Sequence, residues 1–278
     1  MLMGMHELVS IAKTMNLDPE WYLREYFQKT VLYALSALNL SEYYIFQGGT
    51  ALRIIYSSPR LSLDMDFTII DRPIDDLKDD SIKIINFLDR FFSAFNLGVA
   101  KSREKMIREE GFYRFFIAFN TLNLLRKKIK VKLELVVREY HNIEFRREII
   151  LVDFPTRIAF GVRVKTPNQI LVDKICSLAG GMHREYVRWR DIFDIYWLTT
   201  RQNARIDKKY FEQEFGSWIE RMEDLEKLRR ELVLMLKHKS YREIIEDLSK
   251  VLGKDLITDD LIETYIRTTI NYIEQVLK

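Results

Sequence analysis

Between Asp18 and residue 40, apolar side chains recur at Trp21, Leu23, Phe27, Val31, Leu32, Leu35 and Leu38. Steps of three and four place them along a helix rather than on alternating faces of a strand. Asp18 followed by Pro19 suits an N-cap and a first helical position. The first forty residues therefore read as helix. The period changes at residue 43. Tyr43-Tyr44-Ile45-Phe46 is a short β-prone run, Gly48-Gly49-Thr50 interrupts it, and a helix is expected at once over Ala51–Tyr56. After the turn Ser57-Ser58-Pro59, the pattern predicts a strand over Leu61–Ile70 and a helix around Ser81–Phe95. Five strands follow, over Leu97–Ile107, Gly111–Asn120, Ile129–Val137, Glu148–Val152 and Ile158–Val164, with a basic hairpin turn between Asn120 and Ile129.

From Thr166 the pattern is helical throughout. Helices are expected over Asn168–Leu178, Trp189–Leu198, Lys208–Phe215, Ser217–Leu236, Tyr241–Leu252 and Asp259–Leu277. The reading is an α+β chain with a mixed sheet in three parts: a helical N-terminal arm (1–40), a mixed α/β centre (41–165) and a helical C-terminal domain (166–278). No Pro/Gly/Ser linker separates the halves, so they are expected to pack closely around one cleft.

Composition narrows the function classes. Forty-four basic residues nearly balance 41 acidic ones, so the net charge of +3 does not announce nucleic-acid binding and any basic patch must be local. The one cysteine, Cys176, excludes an internal disulfide, and His6, His141, His183 and His238 are too scattered for zinc-type spacing. Apolar runs stop well short of the roughly 18 residues of a membrane span, and no basic segment leads into an apolar run at the N-terminus. A soluble, cytoplasmic protein without membrane partners is expected.

The candidate chemistry lies in Gly48-Gly49 and Asp64-Met65-Asp66. Glycines between a strand and a helix let the backbone approach a ligand, and a helix N-terminus offers free N–H groups to anions, so this is a seat for a triphosphate. Thr50 adds a hydroxyl. Asp64 and Asp66 are two apart on a strand and share a face, from which Met65 points away. Two adjacent carboxylates repel unless a cation sits between them, and Mg²⁺ (or Mn²⁺) joins carboxylates to substrate phosphates. Glu134, inside the apolar run Val131–Val137, is the candidate third ligand. Three carboxylates could hold two metals, one activating an attacking hydroxyl and one stabilising the departing pyrophosphate. A Gly-Gly pair alone is usually a turn, an Asp-x-Asp alone is usually a solvated strand or loop, and a buried acid such as Glu134 is also read as a structural partner of a lysine or arginine. Order and separation are what favour chemistry here: strand, Gly-Gly, helix, turn, strand with two aspartates, later strand with Glu134.

Three segments carry a resemblance to a known family. They are Phe46-Gln47-Gly48-Gly49-Thr50-Ala51-Leu52; Arg60-Leu61-Ser62-Leu63-Asp64-Met65-Asp66-Phe67; and Lys174 in Asp173-Lys174-Ile175, paired with Arg188-Trp189-Arg190-Asp191-Ile192-Phe193-Asp194-Ile195-Tyr196. Together they resemble the AbiEii/AbiGii abortive-infection toxins, within the nucleotidyltransferase superfamily that shares the DNA polymerase β-type palm. The resemblance implies a palm at the centre of the chain, use of an NTP, a divalent metal and transfer of a nucleotide. Some members modify tRNA, and in such members an antitoxin is encoded nearby. It makes Lys174 a candidate triphosphate ligand, with a surface lysine as the other reading, and Asp191 a candidate to orient it. Asp194, three residues on and on the same helix face, either joins them or pairs with an arginine to lock the helix to the palm. Arg60 and Ser62, just before the aspartates, join the nucleotide-binding candidates. If the strand runs from Leu61, Ser62 shares the carboxylate face, and a phosphate on it would repel metal and NTP.

Basic clusters at Arg126-Lys127-Lys128 with Lys130, at Lys101, Arg103, Lys105 and Arg108, and at Arg184, Arg188 and Arg190 could follow an RNA backbone, with Tyr113 or Tyr186 for stacking. They also read as solvated edges that prevent aggregation. The leading expectation is NMP transfer from an NTP to a hydroxyl on RNA, with the tRNA 3′ end as the favoured acceptor, by a toxin that has an antitoxin partner. A protein or small-molecule acceptor, and a non-catalytic nucleotide- or partner-binding module, are the alternatives.

Overall fold

The computed structural model describes residues 4–138, 143–153, 157–216 and 221–277. The chain divides into two compact units: Met1–Ser57, Ser62–His141 and Phe145–Val164 form the first, and Ser58–Leu61, Asn142–Glu144 and Lys165–Lys278 the second.

The first unit is built on a seven-stranded mixed sheet in the order β3-β4-β5-β2-β1-β7-β6. Its strands are β1 (Tyr44–Gln47), β2 (Asp64–Ile69), β3 (Val99–Ile107), β4 (Phe112–Phe119), β5 (Ile129–Val137), β6 (Phe145–Val152) and β7 (Ile158–Lys165). β2 runs antiparallel to β1 and parallel to β5, and β4 is antiparallel to both β3 and β5. The α+β class and the mixed sheet expected from the sequence are those observed. Alternation decides the faces. Met65, Phe67 and Ile69 of β2, Tyr113, Phe115, Ile117 and Phe119 of β4, and Ile129, Val131, Leu133 and Leu135 of β5 are all buried. The intervening residues, Asp64 and Asp66, Arg114, and Lys132 and Glu134, leave the sheet on its other side.

The N-terminal helices are α1 (Met5–Thr14) and α2 (Pro19–Ala37), followed by α3 (Gly48–Ile54), α4 (Asp76–Ser93) and the single turn α5 (Leu122–Leu125). Asp18 caps α2 as its sequence predicts, accepting hydrogen bonds from the Glu20 and Trp21 amides at 2.7 and 3.2 Å. Such a cap contributes about 1 kcal/mol. Phe27 of α2 stacks on Phe119 of β4 at 4.1 Å, and Phe92 of α4 meets both edge-on, so α2 shares one core with the sheet. Truncating a buried ring such as Phe27 to alanine would cost about 3–5 kcal/mol. The hairpin expected around the turn between Asn120 and Ile129 is observed, since β4 and β5 are antiparallel neighbours, and its connection contains α5, ended by Arg126 at φ 57°. Its Thr121 hydroxyl donates to the Lys127 carbonyl at 2.5 Å.

The second unit is helical: α6 (Pro167–His183), α7 (Arg190–Arg201), α8 (Lys208–Gly216), α9 (Arg221–His238), α10 (Arg242–Leu248) and α11 (Asp259–Leu277). Residues 217–220, the start of the helix expected from Ser217, lie outside the described residues. α6 packs on α7, α8 and α9, and α11 on α7 and α9. Its core includes Ile170, Leu178, Ile192, Phe193, Leu228, Ile262 and Tyr265, with Phe193 and Tyr265 edge-on at 5.3 Å. The Leu61 amide donates to the Val251 carbonyl at 2.9 Å, which ties residues 58–61 to this unit. Among the described residues no helix is long and apolar enough to cross a membrane.

Candidate active site

The glycines begin α3 with no spacer after β1. Gly48 takes φ +75°, a left-handed conformation that glycine alone adopts without strain. It also faces Asp66: a Cβ built on Gly48 would overlap the Asp66 carboxylate. Gly49 is buried in the same turn. Thr50 is buried too, and its hydroxyl donates to the Asp64 main-chain carbonyl. That hydrogen bond uses Thr50 to hold β2, so the hydroxyl is not offered to a ligand as the sequence suggested.

Strand register then assembles the carboxylates. Gln47 of β1 pairs with Asp66 of β2, Asp66 with Glu134 of β5, and Glu134 with Arg114 of β4, which makes one row across four strands. In the next row, Asp64 pairs with Lys132. The Lys132 ammonium lies 2.7 Å from Asp64 Oδ2 and 3.2 Å from Glu134 Oε1, and Arg114 Nε lies 3.5 Å from Glu134 Oε1. Burial would lower the Lys132 pKa, but Asp64 and Glu134 outweigh it and hold the amine above its ordinary range. The Asp64, Glu134 and Lys132 side chains are 37, 22 and 20% exposed, so the group is open to a ligand yet partly shielded from water.

This donor set suits a hard divalent cation, which prefers oxygen ligands. The structure itself places a cation, the Lys132 ammonium, between two of the three acids. Among the described residues no three His, Cys, Asp or Glu side chains form a ready-made metal cage. Lys132 and Arg114 had no assigned role in the sequence reading. Alternation was the signal that could have found them, since both leave the sheet on Glu134's side.

The second unit holds another charged group. Arg60 donates from Nε and Nη2 to Asp194 Oδ1 and Oδ2 at 2.6 and 2.8 Å, and Lys174 Nζ lies 2.8 Å from Asp191 Oδ1 and 2.7 Å from Asp194 Oδ2. Arg60, Asp191 and Asp194 are buried, and the Lys174 side chain is 12% exposed. Burial would push the Asp194 carboxyl up, but Arg60 and Lys174 prevail and hold it below the ordinary aspartate range. Burial likewise opposes the charge on Lys174, and Asp191 and Asp194 keep its amine above the ordinary lysine range. Asp191 thus contacts Lys174, and Asp194 finds its arginine in Arg60. Residues 58–61 cluster with the helical unit, so this pair lies within it. Arg60, expected at the nucleotide, donates from Nε and Nη2 to Asp194 and from Nη1 to the Leu61 carbonyl at 3.2 Å.

Two further expectations are corrected. β2 begins at Asp64 and not at Leu61, so alternation does not reach Ser62; that residue instead accepts a hydrogen bond on its carbonyl from Gln28 at 3.0 Å. Tyr113, expected as a stacking platform, is buried, with its hydroxyl 3.1 Å from Ser81 Oγ and 2.7 Å from Glu104 Oε2. Tyr186 is exposed. Arg126, Lys127, Lys128 and Lys130 are all exposed, and Lys127 pairs with Glu20 of α2. Arg184 and Arg188 are exposed and Arg190 is half-buried.

A family model described as the nucleotidyl transferase AbiEii toxin of a type IV toxin–antitoxin system matches residues 30–262. No curated protein matches the chain. Among solved structures, the chain is similar to JHP933 from Helicobacter pylori, with 20% identity over 90% of each chain and a TM-score of 0.49. It is also similar to a second solved structure, of an H. pylori protein provisionally described as a nucleotidyltransferase, with 18% identity over 89% of this chain and 95% of the other and a TM-score of 0.47.

Proposed function

The chain belongs to the AbiEii nucleotidyltransferase toxin family, and from that premise we propose that it moves an NMP from an NTP to a hydroxyl on RNA, with the tRNA 3′ end as favoured acceptor, using Mg²⁺ or Mn²⁺ held by Asp64, Asp66 and Glu134. The observation that carries this reading is the row in which Asp66 pairs with Glu134, one step from Asp64, under the first turn of α3. A nucleotidyltransferase of a type IV toxin–antitoxin system has a nucleotide substrate and an antitoxin partner.

In the proposed reaction the acceptor oxygen forms a bond to the α-phosphorus, the bond to pyrophosphate breaks, and the hydroxyl proton leaves to solvent. A bound divalent cation would make the hydroxyl more acidic and stabilise the negative charge that develops on the pyrophosphate. The main-chain N–H groups at Gly48 and Gly49 would donate hydrogen bonds to phosphate oxygens. Thr50 would act at one remove, by fixing the Asp64 main chain. In the second unit, Lys174 is the candidate cation for the triphosphate, kept charged by Asp191 and Asp194. We assign Arg60 a positioning role, because its guanidinium donates to Asp194 from Nε and Nη2 and to the Leu61 carbonyl from Nη1.

Incubation of the protein with each labelled NTP, Mg²⁺ and either total RNA or total protein tests the reading. Label entering RNA from one or more NTPs is expected. Label entering protein alone would move the acceptor to another class, and no transfer to any acceptor would leave a nucleotide-binding module.

A further inference from the structure

The carboxylate face carries a cation of its own. Lys132 leaves β5 on the same side as Glu134 and directly opposite Asp64 of β2. Its ammonium lies in the gap between them, 2.7 Å from Asp64 Oδ2 and 3.2 Å from Glu134 Oε1. An ammonium in that gap and a divalent ion on the same oxygens exclude each other. Mg²⁺ needs carboxylate oxygens at about 2.0–2.1 Å, which brings the two positive charges close together. With the three side chains only 20–37% exposed, water screens that repulsion less than on an open surface.

We propose that Lys132 competes with the divalent cation for Asp64 and Glu134. With the metal away, the ammonium neutralises the two acids and holds β2 and β5 in register at the site. For the metal to enter, the ammonium swings out on its flexible four-carbon stem. The inference rests on the proposal that Asp64, Asp66 and Glu134 are metal ligands. The side chain at position 132 then sets how much free metal the protein needs. A neutral side chain there removes the competitor. An arginine, whose planar fork grips carboxylates more firmly, strengthens it.

The test is Mn²⁺ binding to the full chain without nucleotide, read from the loss of the free-ion EPR signal, with a circular-dichroism melt for each variant. K132M is expected to bind Mn²⁺ about tenfold or more tightly than wild type, and K132R no more tightly than wild type. Mn²⁺ should also raise the melting temperature of K132M more than that of wild type. If K132M does not fold, K132Q serves in its place, since its amide still donates to the acids without carrying charge. Wild-type affinity or weaker binding in the folded neutral variant would overturn the competition. D66N separates the two possible failures. If wild type binds Mn²⁺, D66N does not, and the neutral variant matches wild type, the metal site stands and the competition is wrong. If neither wild type nor the neutral variant binds Mn²⁺, the metal assignment fails and the competition fails with it.

Discussion

Gly48 and Asp66 face each other so closely that a Cβ on the glycine would overlap the carboxylate and lie 3.0 Å from its Cγ. Gly48 also sits at φ +75°. Both facts require glycine. G48A is therefore expected to lose about 1–3 kcal/mol of stability from backbone strain and to displace the Asp66 carboxylate. Chemical denaturation measures the first effect, and nucleotide transfer in the fraction that remains folded measures the second. A variant with wild-type stability and transfer would remove the close approach from the argument.

D64N and D66N keep side-chain size while removing the charge proposed to hold a metal. Each should lower transfer at least about a thousandfold, or roughly 4 kcal/mol of barrier. D64N should also lose stability, because Lys132 bonds to Asp64 and Glu134. In D64N the ammonium loses one of these two carboxylates. Steady-state transfer with melting curves on the same preparations decides the matter, and wild-type transfer in either variant would sink the metal assignment.

The buried group in the helical unit makes a prediction about stability. R60A leaves Asp194 without its bidentate partner and should cost about 3–5 kcal/mol. The pH dependence follows from the directions of the shifts. Asp194 is held below the ordinary aspartate value of 3.8, so its stabilising contribution is present above that value and is lost as pH falls through the lower folded value. Lys174 is held above the ordinary lysine value of 10.5, so its contribution is present below that value and fades as pH rises through the higher folded one. The stability gap between wild type and D194N should therefore narrow on acidification below about pH 4. Denaturant titrations across that range would show it, and a gap independent of pH would contradict the assignment.

Much of this was legible because local rules and tertiary structure agree. Asp18-Pro19 started α2 where capping chemistry predicts, and alternation in β2 put Asp64 and Asp66 on one face with Met65 on the other. The pairing of Asp66 with Glu134 was not legible, because β2 and β5 are far apart in sequence and no short turn between them fixes their register. Lys132 and Arg114 were missed for the same reason: a lysine or arginine in a strand looks like a solvated edge until its neighbour is known. Ser62 was misplaced because the strand pattern was extended through residues that belong to the turn. Tyr113 was read as a platform from residue type, whereas its place among Phe115, Ile117 and Phe119 on the inward alternation buries it.

The acceptor can be probed at the basic segment after α5. Arg126, Lys127 and Lys128 are exposed, and Lys127 already pairs with Glu20. If the segment guides RNA, changing all three to alanine should weaken RNA binding and flatten the fall of log affinity with log salt. The slope should change by roughly 0.7 per lost phosphate contact for a single-stranded end. Lys127 should contribute less than its neighbours, because a lysine already paired with a carboxylate has less charge to give a phosphate. E20Q should then steepen the salt dependence by freeing Lys127, the opposite direction from the triple variant. Mn²⁺ binding should stay near wild type in both, since none of these residues is on the carboxylate face. Fluorescence anisotropy with a labelled RNA at several salt concentrations reads all of these effects. A small neutral acceptor predicts no change in either variant. Identical slopes throughout would take this segment out of the substrate path and make Arg184 and Arg188, the exposed arginines before α7, the next positions to change.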